Sequence, residues 1–200
     1  MFIYLLIDCY QTLSDFITSF NQQNTPSVTP QIHFMKAGAT SYQLKQAKQS
    51  HRPSLLHNAN DWKLLVDLPD VFPPEIYGTS ERPDLVIWSV KLKKVILFEL
   101  TCPAEEGIEA AKIRKQAKYA PLTEAISIAG WKSVLFTVEV GARGFIPTSS
   151  HHPFNKLGLR GTQVNALMSR ISLISAKCSY AIYLASNSKA WDQQRALLEN

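Results

Sequence analysis

Apolar and polar positions change their spacing several times along the chain, and each change marks an element. Ser14 can cap a short helix from Asp15 to about Phe20, or that helix starts nearer Asp8. The stretch NQQNTPSVTPQ (21–31) is polar and broken by proline, so it reads as a connector. Residues 36–54 carry no sustained apolar period and read as a basic loop or arm. At Lys63 the pattern turns strand-like through Leu68, closed by Pro69 and the turn-like FPPE at 72–75. Two more strand-like runs follow, 84–90 and 95–101, and the VKLKK between them is short enough for a hairpin.

Pro103 ends the third run, and Glu105 and Glu106 stand where a helix start favours negative charge. A helix is predicted from about 105 to 128, with Gly130 near its end and a kink or interruption at Pro121. At ~100° per residue, Ile108, Ala111, Lys115, Lys118, Leu122 and Ile126 share one face, and Tyr119 borders it. WKSVLFTVEV (131–140) is a fourth strand. Val164, Leu167, Met168, Ile171 and Ile174 then repeat at helical spacing and predict a C-terminal helix through about Lys177. SYAIYLASN (179–187) either extends that helix or forms an edge strand. The sum is a single α/β domain with a mixed sheet of about four strands, a crossover helix and flanking helices. Residues 1–56 read as an N-terminal helix and basic connector, and 57–200 as the core with its C-terminal helix.

Composition narrows the class. With 200 residues, 46% apolar and 18% charged, the chain can bury a substantial core. Cys9, Cys102 and Cys178 are widely spaced and odd in number, which argues against a disulfide framework or a close-set zinc site and for an intracellular setting. Six apolar residues after Met1, with no basic lead-in, make a poor secretory leader, and no run reaches the ~20 residues of a membrane span. The net charge of +5 is unevenly spread. No acid occurs from Phe16 to Asn60 or from Val140 to Trp191, whereas Asp61 to Glu139 holds twelve acids against ten bases. Basic flanks around an acidic centre suit arms that grip a polyanion while the centre handles a cation, and solvated surface explains them equally well.

The chemistry concentrates where two carboxylates interrupt apolar runs. Asp84 precedes Leu85-Val86-Ile87-Trp88, and Glu99 follows Val95-Ile96-Leu97-Phe98. Antiparallel pairing of these runs brings the acids together, and neighbouring carboxylates repel unless a proton or cation lies between them. A hard divalent ion such as Mg²⁺ resolves that conflict and polarises a phosphate oxygen. Lys115 or Lys118 then orients or deprotonates a water, or offsets charge in the transition state. Each group also has a plainer explanation: a strand-start acid for Asp84, an internal ion pair with a helix lysine for Glu99, and snorkelling for the lysines.

The stretch RPDLVIWSV…VILFELT resembles the PD-(D/E)XK nuclease superfamily, with Pro83-Asp84 as the PD and Glu99 as the second acid, fourteen residues lying between the two acids. More narrowly, FMKAGA, LLHNANDWKLLVDL, RPDLVIWS, ELTCPAEE, RKQAKY, VEVGARGF and KCSYAIYLASNSKAW, in that order from about His33 to Trp191, resemble the endonuclease-type segment downstream of reverse transcriptase in animal non-LTR retroelement open reading frames. The resemblance implies a restriction-like fold and Mg²⁺- or Mn²⁺-dependent hydrolysis of a DNA phosphodiester, in an intracellular, nuclear setting. It makes Asp84 and Glu99 metal ligands, with Asp67 an additional acid and Glu139 a weaker one. The superfamily's lysine slot, two residues after the second acid, holds Thr101, so the lysine role passes to Lys115 or Lys118. Arg82 and Arg143 become phosphate contacts. The chain contains no reverse transcriptase, so that enzyme or its RNA template enters only as a further partner. The same resemblance also accommodates a catalytically inactive nucleic-acid-binding remnant, and an unrelated α/β interaction domain with internal ion pairs is a third reading.

The remaining residues read more simply. His151-His152 lies in a polar loop, His57 in a turn, and Trp88 and Trp131 fill the core. Cys102 has no partner histidine that would make it a nucleophile.

Overall fold

The computed structural model describes residues 2–23, 54–66 and 72–186. Helix α1 (Phe2–Gln23) is followed by strands β1 (Lys63–Val66), β2 (Leu85–Ser89) and β3 (Lys94–Thr101). A 3₁₀ turn at Glu105–Gly107 leads into α2 (Ile108–Ile128), and β4 (Lys132–Glu139) follows. After a second 3₁₀ turn, Thr148–His151, come α3 (His152–Leu157) and α4 (Gly161–Ser186). The strands lie in the order β1-β2-β3-β4. β1 and β2 are antiparallel, as are β2 and β3, and β3 and β4 are parallel. A parallel pair needs a crossover, and α2 is that crossover. The sheet is therefore mixed and the protein α/β. No helix among the described residues is long and apolar enough to cross a membrane.

Strands β2 and β3 are buried on both sides, which is why their sequences are continuous apolar runs rather than alternations. On one side Leu85, Ile87, Ile96, Phe98 and Leu100 pack with α1, α3 and α4. On the other, Val86, Trp88, Val95 and Leu97 pack with Tyr119, Leu122 and Ile126 of α2. Trp88 and Trp131 belong to this second core, as expected. The hairpin turn between β2 and β3 places Lys93 at φ 46°, and the β2–β3 register runs Leu85↔Phe98 to Ser89↔Lys94.

Several elements differ from the sequence reading. The N-terminal helix spans 22 residues from Phe2, ahead of both the start near Asp15 and the one near Asp8. Leu5, Cys9, Leu13 and Ile17 recur every four residues with Leu6 beside them and are buried against the sheet, so FIYLLIDCY (2–10) opens a core helix. Helix α1 thus shares one hydrophobic core with the sheet, and the basic loop or arm read at 36–54 lies, but for Ser54, outside the described residues. Arg170 of α4 ties this helix down, its Nε 3.0 Å from Asp8 Oδ1 and its Nη2 2.9 Å from Thr12 Oγ1. One of the basic flanking residues is therefore spent on an internal contact. SYAIYLASN extends α4 through Ser186 and forms no strand there. Pro121 does not end α2. It and Ala117, whose carbonyl loses its partner, are both exposed, so solvent can replace the missing donor. His57 is an exposed turn residue. His151-His152, read as loop, instead lies at the junction of the second 3₁₀ turn and α3.

Burial of α1 has a chemical readout. Cys9 is fully buried, and burial, reinforced by the Asp8 charge, pushes its thiol up to about 12. Because the folded value lies above the ordinary thiol value of 9.0, this contribution to stability is full below about pH 9 and is lost as pH rises toward 12. Iodoacetamide in mildly alkaline buffer is expected to label Cys9 only after denaturation, read by mass spectrometry. Labelling of native protein at the unfolded rate would contradict this placement of α1.

Candidate active site

The site forms where β2 begins and β3 ends. Pro83 and Asp84 are buried just before β2. The β2–β3 ladder stops at Leu85↔Phe98, and there the Asp84 side chain takes over as acceptor: Leu100 N–H donates to its Oδ2 at 2.6 Å. A carboxylate receiving a main-chain N–H across the end of a ladder fixes the strand register as well as its own position. Glu99 alternates with Val95 and Leu97, so it faces α2, and it is 2% exposed. Lys115 of α2 donates to Glu99 Oε1. The second oxygen, Oε2, is buried without a hydrogen-bond partner among the described residues.

Tyr119 closes the site from α2. Expected at the border of the apolar face, it is fully buried. Its hydroxyl donates to Arg82 O at 2.9 Å and receives Lys118 Nζ at 3.0 Å. Burial, followed by the negative charges of Glu99, Asp84 and Glu81, pushes the hydroxyl well above the ordinary tyrosine range, so it stays a protonated donor. The two helix lysines therefore part company. Lys115 is on Glu99, while Lys118 lies 4.5 Å from the centre of the Tyr119 ring and 3.8 Å from Glu81 Oε2. Glu81 and Tyr119 went unnoticed in the sequence as site residues. Tyr119 was legible in part, since it follows Lys118 on a helix whose stripe it borders.

Arg82 is exposed, and its carbonyl anchors Tyr119. Arg143 lies elsewhere, in the turn after β4. Its backbone N and its Nε both donate to Glu105, at 2.7 and 2.8 Å. Some burial works against it, but these hydrogen bonds hold the Glu105 carboxyl below the usual carboxylate range. The carboxylate fits because residue 141 is glycine: a Cβ there would stand 2.7 Å from Glu105 Oε1. Glu105, read as a helix-start acid, thus clasps the exit of β4. The Arg143 side chain remains 78% exposed. Asp67 lies outside the described residues, as do Lys36, Lys45, Lys48, Arg52 and Lys189 of the basic flanks.

A polar strip continues from Glu99 across the sheet. The β3–β4 register pairs Glu99 with Thr137 and Thr101 with Glu139. Thr101 Oγ1 and Glu139 Oε1 are buried without hydrogen-bond partners among the described residues, as is Glu99 Oε2. Such groups are rare and costly in folded proteins, and three at neighbouring positions mark this face of the sheet as built for something other than packing.

Among the described residues no three His, Cys, Asp or Glu side chains gather in a metal-binding group. Mg²⁺ does not require three: it is commonly held by one or two carboxylates, with water and substrate phosphate completing its octahedron. Asp84 and Glu99 are the hard oxygen donors at hand, and the unpartnered Glu99 Oε2 is an acceptor that a cation would satisfy. The donor set therefore fits the ion. In comparisons with protein-family models and with curated proteins, the chain matches none.

Proposed function

We propose that this chain is a restriction-endonuclease-like domain of retroelement origin that hydrolyses DNA phosphodiesters with Mg²⁺ or Mn²⁺. The observation that carries the reading is the buried Glu99: one oxygen is held by Lys115, the other lacks a partner, and Asp84 lies across the adjoining strand end. The order α1-β1-β2-β3-α2-β4 supports it, because the two acids reach one end of the sheet from adjacent strands while the crossover helix returns an amine to them. When bound, the ion polarises a phosphate oxygen.

The chain's own residues have separable tasks. Asp84 and Glu99 hold the ion. Lys115, with a third of its side chain exposed, carries positive charge to the rim where a phosphate arrives. That charge offsets the negative charge that develops in the transition state. Tyr119 and Lys118 position the Arg82 segment, so Lys118 acts as a positioning residue in this scheme. Arg82 and Arg143 are exposed and suited to flanking phosphates. DNA is the partner, with reverse transcriptase or its template a further one, in the nucleus.

Thr101 favours a second reading, a nucleic-acid binder without activity. It occupies the expected lysine position, and its hydroxyl has no partner among the described residues. Supercoiled plasmid separates the readings. Relaxation of the plasmid with Mg²⁺ or Mn²⁺, blocked by EDTA, is the expected result. Salt-dependent gel retention without cutting would replace the nuclease with the binder. Neither cutting nor retention would leave an α/β interaction domain stabilised by its ion pairs.

A further inference from the structure

On the α2 side of β4 lies a groove of about 480 Å³, lined in part by Lys112 and Gln116 of α2, Thr137 and Glu139 of β4, and Ser149 and His152 opposite. Its volume falls within the ~300–1,000 Å³ of small-molecule sites. Glu139 is 1% exposed, and its Oε1 has no partner among the described residues. Ser150 fixes the strand beneath it, accepting from Glu139 N at 3.1 Å and donating to Glu139 O at 2.9 Å. The groove therefore presents a buried, pre-positioned carboxylate that calls for N–H donors. Lys112 adds an amine that, among the described residues, has an ion-pair contact with Glu109 at 3.9 Å. His152 adds a ring against which a base can stack. Glu139 is one strand over from Glu99 and two residues further along, ~8 Å by strand geometry.

From these placements we infer that the groove takes an unpaired guanine from the strand bound at the carboxylates. The choice follows from donor patterns. Guanine offers N1–H and N2–H side by side, and one carboxylate accepts both. Adenine and cytosine set an acceptor nitrogen beside their amino group, and thymine flanks its single N–H with two carbonyls, so each turns a lone pair toward Glu139. Lys112 meets the phosphate of the same nucleotide. This inference rests on the nucleic-acid role proposed for the neighbouring carboxylates, and it adds a base preference that those carboxylates do not supply.

Fluorescence anisotropy of the full chain in EDTA, with a labelled short oligothymidylate carrying one central dG, dI, dA or no replacement, tests it without any cutting. The dG oligonucleotide is expected to bind ~10-fold tighter than the unsubstituted one, the lower range for a bidentate base contact. Inosine, lacking the N2 amine, should lose most of that gain in the unaltered protein. Glu139→Gln should flatten the series. Equal, salt-dependent binding of all four would overturn the guanine site alone and leave the nuclease reading standing. Failure to bind any of the four would overturn the guanine site, and plasmid nicking by the same protein would keep the nuclease reading standing. A dG preference that persists in a protein unable to nick plasmid would support the site and sink only the enzyme.

Discussion

Asp84→Asn should abolish plasmid nicking, lowering the rate on the order of 10³-fold at fixed Mg²⁺, because several kcal/mol of metal-derived stabilisation is lost at ~1.4 kcal/mol per decade. The substitution keeps an acceptor for Leu100 N–H, so the end of the β2–β3 ladder survives. The loss should therefore appear with little change in thermal midpoint and with DNA retention preserved. Raising Mn²⁺ should restore part of the rate if the defect is weakened metal binding. A variant that nicks at the unaltered rate would remove Asp84 from the chemistry, and one that unfolds would make it a strand-end acceptor only.

Lys115→Met should cost about 2–3 kcal/mol of stability, read from urea midpoints at constant slope. Breaking a fully buried pair costs ~3–5 kcal/mol, since the partner is left as an uncompensated charge, and the 33% exposure of Lys115 lowers that figure. Adding Glu99→Leu to the same chain should recover most of the loss, because an apolar pair replaces two charges. Both variants should fail to nick. A Lys115→Met protein as stable as the parent would mean that solvent already screens Glu99. If the double variant still cut DNA, the site would lie elsewhere.

How far residues announce their structure depended on what each had to contact. Val95 to Phe98 are apolar without interruption because both faces of β3 are covered, and such a run reads correctly to within a residue. The ends of α2 were legible from Pro103 and Gly130. Its interior was less so, because Lys118 and Tyr119 exchange roles according to which one the sheet admits, and an aromatic ring wins over an amine. α1 was under-read because its exposed Ile3, Tyr4 and Ile7 blur the polar face that marks a surface helix. Short α3 escaped because only Pro153, Phe154 and Leu157 of HHPFNKL face inward. At the site, Asp84 and Glu99 stood out as acids in apolar surroundings. The Glu139 groove did not, since it depends on a strand register and on a turn that sequence spacing does not reveal.

The clasp of Glu105 on Arg143 bears on the order of assembly. It closes a loop of 38 residues, whereas Arg170 reaches Asp8 across 162. Closing the shorter loop loses less chain entropy, so the β3-α2-β4 crossover can condense early, with the terminal helices docking afterwards. Glu99, Lys115 and Glu139 all reside in that early unit. Damage to α1 would then be felt first as slower completion of the domain, with Glu99, Lys115 and Glu139 already in place and Asp84 joining them as β2 docks.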